Sequence, residues 1–225
     1  MTYTKPSAKL QKPIVSRHNA GKGLLPPEFY VRNVKEVAPD LLGKLLVRRE
    51  GKQVRSARIV EVEAYLGLED PAAHAYRGPT ARNQVLFGPP GRAYVYFIYG
   101  FHYCLNISCE PEGKAGCILI RALEPVEGLE LMYAARDLER EHGRVTELRL
   151  LTSGPGRLAE AFSITRERDN GKDVTSRRSD LQVFEDGFRP EKVAITVRIG
   201  ITKAAEEPLR YLIAGNPFVS GKRVV

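Results

Sequence analysis

The chain has 225 residues, 43% of them hydrophobic, and its 35 Lys and Arg outnumber 27 Asp and Glu to give a net charge of +8. That composition suffices for a substantial core, and no apolar run approaches the roughly 20 residues of a spanning helix or forms a signal-peptide core, which counts against a membrane protein. A soluble intracellular protein with a polyanionic partner is expected, nucleic acid before an anionic membrane surface, the alternative being a merely solvated basic surface.

Residues 1–25 are polar and basic, with Lys5, Lys9, Lys12, Arg17 and Lys22, and lack either periodicity, which predicts a flexible arm. Residues 26–225 read as one domain, because no Ser/Gly-rich or Pro-rich linker divides them. In "NVKEVAPDLLG", an Asn cap, a short apolar stripe and a stopping Gly43 predict a short helix. The stretch "KLLVRREGKQVRSARIVEVEAYL" predicts two strands around a Glu50-Gly51 turn. Alternation in the second strand puts Glu61, Glu63 and Tyr65 on one face and Val62 and Ala64 on the other. Such a face is either a polar exterior or the lining of a cleft; apolar Ile59, Val60 and Leu66, with Tyr65 beside the carboxylates, favour the cleft.

The segment "GLEDPAAHAYRGPTARNQVLFGPPGR" has the make-up of a long loop, with a helical turn near Ala72–Ala75, and it carries His74, Arg77 and Arg82. Loops of this length in a compact domain are usually functional or disordered. Next, "AYVYFIYGFHYCLNIS" is rich in aromatic and β-branched residues and predicts strand. Tyr94, Tyr96 and Ile98 share one face, Val95, Phe97 and Tyr99 the other, until Gly100 bends the backbone. These tyrosines serve either packing or base stacking. Beyond them, "AGCILIRALEP" predicts a buried strand ending at Arg121, a cation that needs an anionic partner there. A helix follows through "GLELMYAARDLEREHG". In "LTSGPGRLAEAFSI", Ser153 is the expected cap of a helix whose free amides suit a phosphate. "KVAITVRIGITKAAEEPLRYLIAGNPFVS" reads as two strands around a charged loop. Cys104, Cys109 and Cys117 lack ligand spacing and read as buried thiols, and His18, His74, His102 and His142 form no ligand set, so no metal is implied.

Taken in order, "RIVEVEAYLGLEDPAAH", "YVYFIYGFHYCLNIS", "LIRALEPVEGLE", "SGPGRL" and "PLRYLIAGNPFVS" resemble the methylpurine-DNA glycosylases, from about Glu28 to Ser220. The resemblance implies a mixed α/β (α+β) single domain on a curved, mainly antiparallel sheet with peripheral helices. It also implies a monomeric enzyme that flips alkylated or deaminated purines out of duplex DNA and hydrolyses the N-glycosidic bond, without lyase chemistry or cofactor. Glu63 matches the general base, and Arg121 the arginine beside the attacking water and local phosphate. Tyr65, His74 and Tyr96 match residues that sandwich and edge-bind the flipped purine. Asn106 matches an asparagine that clashes with the guanine 2-amino group, and Tyr99 the wedge that fills the vacated stack. Phe101 stands where groove or pocket fit is set, Arg82 and Arg157 are candidate phosphate contacts, and Glu61 reads as structural. A non-catalytic damage-binding module and a carbohydrate hydrolase using Glu61 with Glu63 are the competing classes.

Overall fold

Long alternating and apolar segments cannot bury their hydrogen-bonding groups singly, and here they pair into one eight-stranded sheet. The computed structural model describes residues 23–98, 100, 102–139 and 145–221. Its strands are β1 (Leu45–Glu50), β2 (Gln53–Tyr65), β3 (Ala93–Ile98), β4 (His102–Cys109), β5 (Gly116–Glu127), β6 (Leu181–Phe184), β7 (Val193–Thr196) and β8 (Arg210–Ile213). The main order is β3-β4-β5-β2-β1-β6, with β8 pairing β2 and β7 pairing β8. All pairings are antiparallel and the sheet curls into a half-barrel, the expected α+β arrangement.

Six α-helices flank the sheet among the described residues: α1 (Pro27–Tyr30), α2 (Val34–Leu41), α3 (Leu129–Ala135), α4 (Val145–Thr152), α5 (Pro155–Ala161) and α6 (Arg166–Asp169). The predicted Asn cap is present: the Asn33 side chain accepts from the Lys35 N–H at the start of α2. That helix lays Val34, Val37, Ala38 and Leu41 into the main core, which also takes Val60, Val62 and Ala64 from β2. The hairpin turns at Gly51 between paired Glu50 and Gln53, as its sequence predicted.

Several expectations need correction. The helix after Gly128 ends at Ala135, because Asp137 adopts a positive φ of 49° that a right-handed helix does not continue through; residues 140–144 of that expectation lie outside the described residues. Ser153 is not a cap. Gly154 takes that position without a side-chain bond, and the Ser153 hydroxyl donates to the Val219 carbonyl instead. Of the expected arm, residues 1–22 lie outside the described residues, whereas Leu24 bridges to Phe184 and Leu25 is buried. The edge strand β6 had no periodic signal, since four residues are too few for one.

The register aligns distant segments in one row. Tyr94 pairs with Asn106, Asn106 with Leu119, Leu119 with Glu63, and Glu63 on its other side with Arg210, so the row crosses β3, β4, β5, β2 and β8. Paired residues share a sheet face, which puts Tyr94, Asn106 and Glu63 on the same side. Near this row the β2/β5 register shifts between Glu61/Ala122 and Val62/Ile120, leaving Arg121 unpaired in a bulge. Bulges re-aim a side chain, and this one turns Arg121 toward the glutamates of β2.

The loop between β2 and β3 returns tightly onto the sheet. At Gly67, φ is +65° and an added Cβ would stand 2.3 Å from the Lys114 carbonyl oxygen. Gly67→Ala is therefore expected to lower stability by about 2–4 kcal/mol, read as a lower urea midpoint.

Candidate active site

A cavity of about 500 Å³ opens on the face that carries the row, between β3, β4, β5, the start of α5 and the segment after β7. Tyr94, Tyr96 and Ile98 enter it from β3, as alternation predicted, while Val95 packs into the core and Phe97 stays 47% exposed on the opposite face. Asn106 is buried in the wall and its amide donates to the Tyr94 carbonyl (3.2 Å). Tyr65 lines the cavity from the end of β2, opposite Cys117 in the ladder. The three cysteines are buried free thiols, as expected; burial first, then the Asp70 charge, pushes Cys117 up to about 12.

His74 stands at the mouth, with its Nδ1 2.9 Å from the Tyr94 hydroxyl and its ring 4.5 Å from that of Tyr96 in an edge-on contact. Packing against these rings, and secondarily the Arg82 charge, holds its pKa below the usual histidine value. The Arg82 guanidinium lies 5.6 Å from the Tyr96 ring centroid, on a neighbouring hollow of about 280 Å³ that also carries Arg77 and Lys203. Arg157 lines the cavity from α5. The structure thus brings Tyr65, His74, Tyr96, Asn106, Arg121 and Arg157 around one cavity and sets Arg82 in the hollow beside it. Tyr99 and Phe101, which fall between β3 and β4 in the sequence, lie outside the described residues.

The two glutamates share one face, as alternation required, but neither has exposed surface. They sit one layer behind the cavity wall. Burial of two anions demands partners, and Arg121 supplies both: its Nε donates to Glu61 Oε1 (3.0 Å) and its Nη1 lies 3.1 Å from Glu63 Oε1. The anionic partner that the sequence required for Arg121 is therefore a pair. Burial opposes the Arg121 charge, but Glu63 and then Glu61 outweigh it and hold the guanidinium protonated.

The two carboxylates, each able to accept about four hydrogen bonds, differ in where their donors come from. Glu61 takes four donors: the Arg121 Nε (3.0 Å), the Arg210 Nε (2.6 Å) and the Ser220 hydroxyl (2.9 Å) converge on Oε1, and the Ser220 N–H (2.6 Å) meets Oε2. Glu63 has three donors among the described residues. Arg121 and the Ile199 N–H (2.8 Å) fill Oε1, and the Tyr65 hydroxyl (3.0 Å) occupies one site on Oε2. Each carboxylate thus has a single donor on Oε2 among the described residues, but the partners of Glu63 all line the cavity, whereas Arg210 and Ser220, which hold Glu61, do not.

Tyr65 is a committed donor, because burial, then the Glu63 charge, raises its pKa well above the usual phenol value. Behind its ring, 4.7 Å from the centroid, lies the buried Arg198 guanidinium, which is bonded to Asp70 (3.0 Å from Nη2 to Oδ1) and to the Ala64 carbonyl (3.0 Å). This ion pair ties the segment carrying Ile199 to the end of β2. Although burial favours its protonated form, Asp70 is held below the ordinary carboxylate range by Arg198 and by the Ala72 N–H.

Sequence reasoning missed Arg198, Arg210, Ile199 and Ser220. The argument applied to Arg121, an arginine set in apolar strand, fits "TVRIG" and "PLRYL" equally well and would have found the two arginines. Nothing local marks the other two, since Ile199 acts through its backbone and Ser220 through a turn.

Residues 28–217 match the methylpurine-DNA glycosylase family. The chain belongs to that family. A relative from Koribacter versatilis is 60% identical over 199 residues, covering 88% of this chain and 94% of that protein. Others from Methanoculleus marisnigri and Rhodopseudomonas palustris are each 48% identical, covering 87% and 90% of this chain and 98% and 91% of their own lengths. All three bear 3-methyladenine DNA glycosylase as a provisional name. As a methylpurine-DNA glycosylase family member, the chain is a DNA glycosylase, a hydrolase of N-glycosyl bonds. No described helix is long and apolar enough to cross a membrane.

Proposed function

We propose that the protein excises alkylated or deaminated purines of the 3-methyladenine, hypoxanthine and ethenoadenine type from duplex DNA, acting inside the cell as a monofunctional, monomeric enzyme that begins base excision repair. The setting of Glu63 carries this reading: of the two buried carboxylates, Glu63 is the one whose partners Tyr65, Arg121 and Ile199 all line the cavity, and its Oε2 has a single donor among the described residues, which leaves an acceptor site for a water.

A flipped purine would enter the cavity edge-first between Tyr65 and the His74/Tyr96 pair, at an unstacking cost of a few kcal/mol that a poorly paired lesion reduces. Tyr99 would fill the gap it leaves and Phe101 the adjoining groove. The water on Glu63 Oε2 attacks the anomeric carbon as the sugar acquires oxocarbenium character. Glu63 takes the proton, and its charge stabilises the cationic sugar. Arg121 orients Glu63 from the opposite edge and faces the cavity, where it can also meet the nucleotide phosphate. Arg82 and Arg157 flank the opening as further phosphate contacts. A purine methylated on a ring nitrogen, such as 3-methyladenine, already carries positive charge and departs as a neutral base, so for it one carboxylate suffices without the acid–base pair of an ordinary glycosidase, whereas neutral hypoxanthine and ethenoadenine need a proton on the departing base as well.

The test is single-turnover base release from duplexes carrying hypoxanthine, ethenoadenine or methylated purines, with abasic sites revealed by alkali. Release from at least one supports the reading; duplex binding without release from any would leave a damage-binding module.

Two side chains give further expectations in the same assay. Tyr65→Phe keeps the ring and should retain release within about tenfold, whereas Tyr65→Ala removes a stacking surface and should lose about 5- to 150-fold. Asn106→Ala deletes the side chain held against the Tyr94 carbonyl. Excision of unmodified guanine should then rise about tenfold over the native background, because the device against its 2-amino group is gone.

A further inference from the structure

Glu61 is fully buried and, Arg121 apart, its partners Arg210 and Ser220 lie outside the lining of the cavity, yet it accepts four hydrogen bonds beside the site. Its two guanidiniums stand in different relations to Glu63. Arg121 bridges the two glutamates, with Nε to Glu61 and Nη1 to Glu63. Arg210 is directly opposite Glu63 in the β2–β8 ladder but turns its Nε to Glu61 (2.6 Å) and its Nη2 to the Ser220 carbonyl (3.0 Å).

We propose that Glu61 is a positioning residue for base excision: it fixes the Nε edge of Arg121 so that Nη1 meets Glu63, and together with Arg210 it sets how much positive charge Glu63 feels. The inference rests on the reading of Glu63 as the base. A carboxylate facing an undivided guanidinium stays ionised but accepts protons poorly, whereas one that shares the guanidinium with a second carboxylate remains the stronger base.

The groups facing Glu63 are Glu61 and Tyr65 on β2, Cys104 on β4, Arg121 on β5, Arg210 on β8 and Arg198 after β7. Asp70 cancels Arg198, so Glu61, Glu63, Arg121 and Arg210 leave the cluster neutral. Removing one charge from that balance changes what Glu63 feels, with a sign fixed by which charge is removed.

The experiment is the pH dependence of single-turnover release from an ethenoadenine duplex by the native protein, Glu61→Gln, Arg210→Gln and Glu63→Gln, with thermal melting and duplex affinity measured for each. Gln at 61 can still accept from Arg121, and Gln at 210 can still donate to Glu61, so both changes remove charge while keeping a bond. Glu61→Gln is expected to move the acid limb to lower pH by about one unit and to slow release at neutral pH about three- to tenfold. Arg210→Gln should move the limb by about one unit in the opposite direction. A purely structural role predicts lower melting temperatures and no opposed shift. Limbs that coincide with the native one, or move together, overturn the proposal, and if one variant fails to fold the direction seen in the other decides. Release that survives in Glu63→Gln would instead sink the reading of Glu63 as the base.

Discussion

Glu63→Gln is expected to cut single-turnover release of an alkylated or deaminated purine by about 10²–10⁴-fold, the range of a lost general base, while duplex affinity stays within about threefold. The substitution is conservative in shape. The Gln carbonyl can still accept from the Ile199 N–H and Arg121, which now hold Oε1, and its amide nitrogen can donate to the Tyr65 hydroxyl, which now donates to Oε2. What disappears is the anionic oxygen with its open lone pair, and with it both proton acceptance and the charge opposite the oxocarbenium ion. Loss of release with folding and binding intact is the result this mechanism requires; release near the native rate would remove Glu63 from the chemistry.

A large effect on stability is expected at Arg48, the largest fully buried side chain. Its Nη1 donates to Asp169 Oδ1 (2.9 Å) and lies 3.1 Å from Asp180. Asp169 also accepts from the Thr165 N–H, holding α6, and the adjacent Asn170 side chain accepts from the Val95 N–H of β3. Arg48→Ala takes the guanidinium from the buried Asp169 and leaves Lys172 (2.9 Å) as its remaining close cation, and breaking such a buried pair is expected to cost about 3 kcal/mol. The loss is expected as a fall in urea midpoint with little change in slope. Because α6 braces the strand that carries Tyr94 and Tyr96, weaker duplex binding should accompany it.

The same contact fixes a pH dependence. Burial raises the Asp169 pKa, but the bonds from Arg48 and Lys172 outweigh it and hold the folded value below the unfolded one. Its stabilisation is therefore present above the unfolded value near pH 4 and lost as pH falls through the folded one. Asp70, depressed by Arg198, acts with the same sign. Thermal melting in acid should show native stability declining below about pH 4.

Much of the fold was legible because its signals are local. The β1–β2 hairpin, the capped α2 and the alternating faces of β3 each follow from a few neighbouring residues. What escaped notice was short or irregular: the four residues of β6, the start of α5 without a side-chain cap, and the early end of α3 at Asp137. The bulge at Arg121 was equally silent, since a bulge depends on how two strands meet and leaves no periodic trace in either.

The site divides along the same line. By itself the sequence determined that Glu61, Glu63 and Tyr65 share a face, because strand side chains alternate with a period of two, and that a buried Arg121 needs an anion. It did not determine burial: the carboxylates lie behind a cavity wall, not on a polar exterior or in direct contact with solvent. Nor did it separate the two glutamates by geometry, since they are chemically identical and two residues apart. Only the tertiary structure decided that the partners of Glu63 line the cavity while Arg210 and Ser220 hold Glu61 away from it, because these donors arrive from β5, β8 and the segments around Ile199 and Ser220, 60 to 159 residues away along the chain. Which donors meet a carboxylate is a property of what surrounds the side chain, and folding alone brings those surroundings together.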